Sequence, residues 1–199
     1  MPGSIVGILL AAGRGSRFGS DKLVYLLPDG TPMALAAARN LRPACERLIA
    51  VLRPGSTVLA GLLAAEGCET VICQDANAGM GRSLAVGVRE SADAAAWIVA
   101  LADMPFILPS SHLSVATGLR AGASLVASEF NGKRGHPVGF AGEWLDQLSG
   151  LSGDQGGKSI LASHRQQLLR CPVDDPGVLR DVDRPEDLEI NFPGFARHE

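Results

Sequence analysis

Residues 5–12 form an almost unbroken apolar run that stops at Gly13. A strand built from it has no polar face to turn toward water, so it has to be covered on both sides. A central strand of a parallel sheet flanked by helices meets that condition. The same form returns at 48–52, 70–73 and 96–101. Between these runs lie alanine-rich and leucine-rich stretches at 32–41, 58–66 and 81–92, each long enough for a crossover helix. This rhythm predicts a twisted parallel sheet with helices on both faces.

Beyond Pro109 the pattern is less regular. It predicts a helix to about residue 119, a strand at 124–128, a short strand at 137–140 and a helix over 143–148. A helix near 158–164, a strand near 168–173 and a last helix opening at Pro185 complete the chain. A length of 199 residues with 46% apolar composition suffices for one substantial core, so a single domain over 1–199 is expected. In such sheets ligands gather beyond the C-terminal ends of the strands, so the loops after Ala12, Cys73 and Leu101 should face one crevice.

Composition removes several classes of function. A net charge of -3 without a long basic block offers no footprint for nucleic acid, and 5% aromatics provide no stacking stripe. Cys45, Cys68, Cys73 and Cys171 have no spacing typical of a zinc site and read as thiols in a reducing compartment. The 5–12 run is too short to span a bilayer, and no basic segment precedes it as in a signal peptide. No membrane partner and a cytoplasmic location are therefore expected.

The segment from Leu9 to Leu23, LLAAGRGSRFGSDKL, is the strongest local signal. Gly13, Gly15 and Gly19 let backbone N–H groups close around phosphate oxygens, and Arg14, Arg17 and Lys22 add positive charge on the same arc. No Gly-Lys-Ser/Thr follows, so this is not a Walker A loop. A dinucleotide site is the weaker reading, since residues 26–32 interrupt the chain before the first confident helix. A merely flexible surface loop is the bland one.

Asp103 follows a buried strand and precedes Met104-Pro105. A carboxylate there suits Mg2+ bridging a triphosphate, against the alternative of an ordinary turn aspartate. In the polar loop opened by Asp75, Ser83 caps the next helix or touches a base edge, and Gly81 allows close approach of a planar ligand. Residues 132–137, with Lys133, Arg134 and His136, and the glycine-rich 150–158 segment, with Asp154 and Lys158, read as loops over a substrate or as plain connections. Asp183 fits as an N-cap with Glu186 as its capping-box partner, which leaves Asp181 as a second candidate metal ligand.

Taken in order, these pieces resemble the molybdopterin nucleotidyltransferases, most of all the molybdenum cofactor cytidylyltransferases. The matching segments are Leu10-Ala11-Ala12-Gly13 through Gly19 to Lys22-Leu23, Gly81-x-Ser83-Leu84, Asp103-Met104-Pro105, Gly135-His136-Pro137-Val138, Gly153-Asp154-x-Gly156 and the 181–187 stretch. The resemblance implies a three-layer α/β/α Rossmann-like nucleotidyltransferase fold with a mostly parallel, partly mixed sheet. It implies CTP on the 13–22 loop and Mg2+ on Asp103. Arg17 and Lys22 would act on the phosphates, with Ala12 and Ser83 near the base. Leu10, Ala11, Gly13, Arg14, Gly15, Asp75 and Gly81 would complete the nucleotide site.

The same resemblance implies transfer of CMP to the phosphate of molybdopterin with release of pyrophosphate. His136, Asp154 and Lys158 would flank the acceptor, and a recipient molybdoenzyme or chaperone would be the protein partner. Phe18 stands where methionine is more usual, and Ala102 where glycine often precedes the metal aspartate. The rival readings are a nucleotidyltransferase acting on a sugar 1-phosphate or other small phosphate, and a nucleotide-binding regulatory module without turnover.

Overall fold

The computed structural model describes residues 3–13 and 22–188. Seven strands form one sheet in the order β3-β2-β1-β4-β6-β5-β7. They are β1 (Ile5–Ala11), β2 (Arg47–Leu52), β3 (Glu69–Ile72), β4 (Ala96–Leu101), β5 (Leu125–Phe130), β6 (Lys133–Ala141) and β7 (Leu168–Pro172). β1 pairs in parallel with β2 and β4, β2 with β3, and β5 with β7. β6 alone runs antiparallel, to β4 and β5. The helices are α1 (Met33–Leu41), α2 (Thr57–Ala65), α3 (Met80–Glu90), α4 (Pro109–Arg120), α5 (Leu145–Ser149) and α6 (Lys158–Ser163).

The apolar runs are explained by the two cores they fill. On one face Leu9, Ala11, Leu48, Ala50, Leu52, Ile98 and Ala100 pack with residues of α1, α2 and α4, including Leu41, Leu63 and Val115. On the other, Ile8, Leu10, Ile49, Val51, Trp97, Val99 and Phe140 pack with Leu84 and Val88 of α3 and with Leu148, Ile160 and Leu161. Alternate residues of one strand enter opposite cores, which is why a polar residue has no place in β1. The result is a three-layer α/β/α Rossmann-like fold with a mixed sheet. Buried Trp97 is satisfied internally, its Nε1 donating to Ser91 Oγ at 3.0 Å and that hydroxyl to Gly87 O at 2.9 Å.

The first two crossings build the sheet outward from β1 through β2 to β3, and the third returns the chain to β4 on the other side of β1. The chain therefore switches direction between β1 and β4, and a crevice opens beyond their C-terminal ends. The longest departure from the sequence reading is β6, expected as a short strand at 137–140 behind a loop. Asn131 (φ 50°) and Gly132 (φ 76°) make the positive-φ pair of a tight hairpin turn, so pairing with β5 begins at once and residues 133–136 are strand. Of the last helix, expected to open at Pro185, the described residues form a 3-10 turn over Pro185–Leu188. All four cysteines are free thiols, Cys68 and Cys73 buried and the other two partly so. No helix among the described residues is long and apolar enough to cross a membrane.

His112 of α4 is 2% exposed, and its Nδ1 has no hydrogen-bond partner among the described residues. Burial pushes its pKa from the ordinary 6.5 down to about 3, with a smaller contribution from the charge of His136. The unfolded chain then takes up a proton near pH 6.5 that the folded chain refuses, so stability falls as pH drops from 6.5 toward 3. At pH 5 this amounts to about 2 kcal/mol. Urea unfolding of His112→Leu should show a loss between pH 7.5 and 5 smaller by about that amount than in the parent. Identical pH dependence in the two proteins would show that His112 is not held neutral.

Candidate active site

Beyond the C-terminal ends of β1 and β4 lies a cavity of about 500 Å³. Leu10, Ala12 and Gly13 line it from β1, Leu101 and Asp103 from β4, and Met80 and Ser83 from α3. Lys22, Leu23, Ala76, Asn77, Gly79 and Asp154 complete its wall. The β1 and β4 residues reach this space because their strands end there, as parallel strands at a switch point must.

At one end of the cavity stands a group of three carboxylates. One oxygen each from Asp103, Asp181 and Asp183 lie within 4.8 Å of one another. Two unit charges at that spacing repel by about 3 kcal/mol at an effective dielectric near 20, less where solvent reaches them. The ammonium of Lys22 relieves part of this, donating to Asp103 Oδ2 at 3.0 Å and to Asp183 Oδ1 at 2.9 Å. Burial pulls the Lys22 pKa down. The charge of Asp103, hydrogen bonds to Asp183 and Asp103, and the charge of Asp183 outweigh it, so the net shift is upward. Lys22 is therefore a fixed cation. It is 5% exposed, a buried cation at the far end of the glycine-rich segment.

Three hard oxygen donors in one place are a donor set that suits a small divalent cation such as Mg2+ or Mn2+. The backbone holds the two halves of this set together, since Val182 N donates to Asp103 O at 2.8 Å. Asp183 was read from the sequence as a helix cap only. The capping role falls instead to Asp187, whose Oδ2 accepts from the backbone N–H groups of Asp183 and Arg184, both at 2.8 Å, and Glu186 is not the partner. That frees the Asp183 carboxylate for Lys22 and the cluster. The Asp-x-Asp spacing at 181 and 183 was the available signal: on an extended segment, residues two apart point the same way.

A second cavity of about 540 Å³ shares Leu10, Met80 and Asp154 with the first. Its floor is apolar, with Leu84, Val99, Val138, Phe140 and Leu161, and its rim has Arg134, His136, Gln155 and Lys158. Burial first of all lowers the pKa of His136, although a hydrogen bond to the Val99 backbone and the charge of Asp103 oppose it. His136 is thus neutral near pH 7. The Arg134 guanidinium has its pKa lowered by burial and by the nearby charges of Arg170 and Arg165.

Of the residues expected at the nucleotide, Leu10, Ala12, Gly13, Lys22, Ser83 and Asp103 meet in the first cavity. Arg14, Gly15 and Arg17 lie outside the described residues. Ala11 points into the opposite core, one residue out of phase with Leu10 and Ala12. Asp75 is exposed and pairs with Arg82 Nη2 at 3.2 Å. Gly81 N donates to Gly153 O at 2.8 Å, and a β-carbon at residue 81 would meet the 152–153 backbone. Ser83 is not a cap: α3 opens at Met80 behind Gly79, and Ser83 lies in the helix interior, 4% exposed, lining the cavity. His136, Asp154 and Lys158 all line the second cavity.

Comparison with known proteins agrees with this geometry. The chain is 30% identical over 196 residues to the purine catabolism protein PucB of Bacillus subtilis (strain 168), covering 94% of this chain and 95% of PucB. It is 28% identical over 197 residues to the nicotine blue oxidoreductase of Paenarthrobacter nicotinovorans, covering 92% and 94% of the two chains. The crystal structure of Rv0371c from Mycobacterium tuberculosis H37Rv superposes with a TM-score of 0.83 at 26% identity, covering 95% of this chain and 97% of that one. A second Rv0371c structure, a complex with manganese, superposes at 0.80 with 25% identity over the same shares. The MobA-like NTP transferase domain matches residues 7–168, and with this sheet order and this strand-end cavity the chain belongs to that family of nucleotidyltransferase domains.

Proposed function

We propose that the protein transfers CMP from CTP to the phosphate of molybdopterin, in a Mg2+-dependent reaction that releases pyrophosphate. One observation favours this reading above the others: the first cavity, lined by Lys22 and by Asp103 of the carboxylate cluster, shares Leu10, Met80 and Asp154 with the apolar, cation-rimmed cavity. A nucleotide and an amphipathic anionic acceptor can then lie side by side. The resemblance of the 81–84, 135–138 and 153–156 segments to cytidylyltransferases points to CTP and molybdopterin within that arrangement.

The acceptor phosphate is already an anion, so the reaction asks for alignment and charge relief more than for a base. In this reading Gly13 and the loop with Arg14, Gly15 and Arg17 hold the triphosphate, while Ala12 and Ser83 border the base. Asp103, Asp181 and Asp183 hold Mg2+, which when bound withdraws charge from the phosphates. Lys22 supplies a fixed positive charge beside them, in a place where water is largely excluded. Lys158 and Arg134 attract the acceptor's anionic group, and neutral His136 offers a hydrogen bond without adding charge. A recipient molybdoenzyme or its chaperone would take the product.

Asp103→Asn should fold like the parent but lose about 100-fold or more in Mg2+-dependent pyrophosphate release, the expected size for a lost metal ligand. Equal turnover at saturating Mg2+ would remove Asp103 from the chemistry. Sugar phosphates tested beside molybdopterin identify the acceptor: use of the former alone makes this a different nucleotidyltransferase, and use of neither while CTP binds makes it a binding module.

Nucleotide choice rests on Ala12, which is 8% exposed at the cavity wall. Its methyl group narrows the space beside the base, and a difference of this scale discriminates by about 10-fold to 200-fold. CTP should exceed GTP in kcat/KM by that order, and Ala12→Gly should reduce the ratio. A parent that uses both equally contradicts the assignment. A ratio unchanged in Ala12→Gly leaves CTP in place and discards the steric cause.

A further inference from the structure

The carboxylate cluster draws its members from two stretches of chain, Asp103 from the end of β4 and Asp181 and Asp183 from the segment after β7. Neither stretch is a helix or strand where the ligands sit, so something other than regular structure has to fix their spacing. The two stretches meet over a small core. Phe106 and Val182 pack with Leu27 and Met33, and Met104 and Ile107 pack with Val178. Apolar contacts of this kind set proximity but not register, because they have no direction.

Direction comes from the backbone bond of Val182 N–H to Asp103 O at 2.8 Å and, at the other end of the junction, from one side chain. Asp175 is 3% exposed, and its carboxylate accepts three hydrogen bonds. Oδ2 takes the backbone N–H of Leu108 at 2.8 Å and the hydroxyl of Ser111 at 2.6 Å, while Oδ1 takes the backbone N–H of Gly177 at 2.9 Å. Leu108 and Ser111 form the start of α4, where the 103–108 loop enters the helix. Gly177 lies in the turn that leads to Val182. A buried carboxylate bonded on both sides of a junction is a directional lock, since displacement of either stretch would strand a charged oxygen away from water. Residue 177 has to be glycine for the two stretches to come this close: a β-carbon there would overlap the carbonyl group of Phe106.

We infer that Asp175 is a positioning residue for the metal site: it holds the 103–108 loop and the 177–183 segment in one register, so that Asp103, Asp181 and Asp183 present their oxygens to a single cation. This rests on the metal reading of the cluster given above. Asp175 lines neither cavity and lies outside the cluster, so its effect has to pass through the backbone.

The test measures Mn2+ affinity directly, by electron paramagnetic resonance titration with CTP present, together with thermal stability. Asp175→Asn keeps the shape but sets an amide against N–H and O–H donors, and Ser111→Ala removes one donor with little effect on folding. Leu63→Ala, in a fully buried position of α2 away from the site, is the control for stability loss alone. Mn2+ binding should weaken about tenfold or more in Asp175→Asn and severalfold in Ser111→Ala, and stay at the parent value in Leu63→Ala even where its melting temperature is the lowest. If Asp175→Asn does not fold, Ser111→Ala decides by the same criterion. Parent-like Mn2+ affinity in the folded variants overturns the positioning role, as does an equal loss in Leu63→Ala. A parent that binds no Mn2+ with CTP overturns the metal reading itself, and this inference with it.

Discussion

Two carboxylates that would otherwise repel each other share one ammonium at 3.0 and 2.9 Å, and that ammonium belongs to Lys22, at the far end of the glycine-rich segment. This arrangement joins three stretches of chain that are remote in sequence. Lys22 comes eleven residues after the end of β1, Asp103 two residues after the end of β4, and Asp183 lies past β7. The parallel order around β1 brings the first two together at a switch point, and the small core under Phe106 and Val182 brings in the third. The fold thus gathers charge at the one edge where the sheet itself leaves an opening.

The opening is polar at one end and apolar along its neighbour, and that difference follows from which core each wall belongs to. Leu84, Val99, Val138, Phe140 and Leu161 are the outer margin of the core between the sheet and α3, α5 and α6. Where that core runs out, its last side chains become a cavity floor. The cations on the rim come from β6 and from the start of α6. Because β6 runs antiparallel between β4 and β5, it delivers Arg134 and His136 beside the end of β4; a parallel strand in its place would deliver them to the opposite edge.

Much of this was legible in the sequence. Buried parallel strands announce themselves as apolar runs, and the run at 96–101 gave β4 its full extent. Asp103 was visible because it follows such a run immediately. The rest was hidden for physical reasons. Ser83 read as a cap or a base-edge contact because a serine between a polar loop and an apolar run favours a helix start, yet α3 opens three residues earlier behind Gly79. The burial of Lys22 was not legible because the carboxylates it pairs with lie 81 and 161 residues away. Asp183 read as a cap because local pattern cannot distinguish it from Asp187, which does the capping. Asp175 gave no signal at all, since a buried carboxylate is recognised by its donors, and Leu108 and Ser111 are more than sixty residues distant.

The account makes one claim central: Asp103, Asp181 and Asp183 together seat a single divalent cation next to a nucleotide in the cavity between β1 and β4. A crystal structure with Mn2+ and a non-hydrolysable CTP analogue tests it directly through the anomalous signal of the metal. One anomalous peak bounded by oxygens of these three carboxylates, with the analogue's phosphates beside it in the cavity lined by Ala12 and Ser83, is the result expected. A peak elsewhere, or a nucleotide that binds in the cavity with the three carboxylates still gathered only around Lys22, would contradict it.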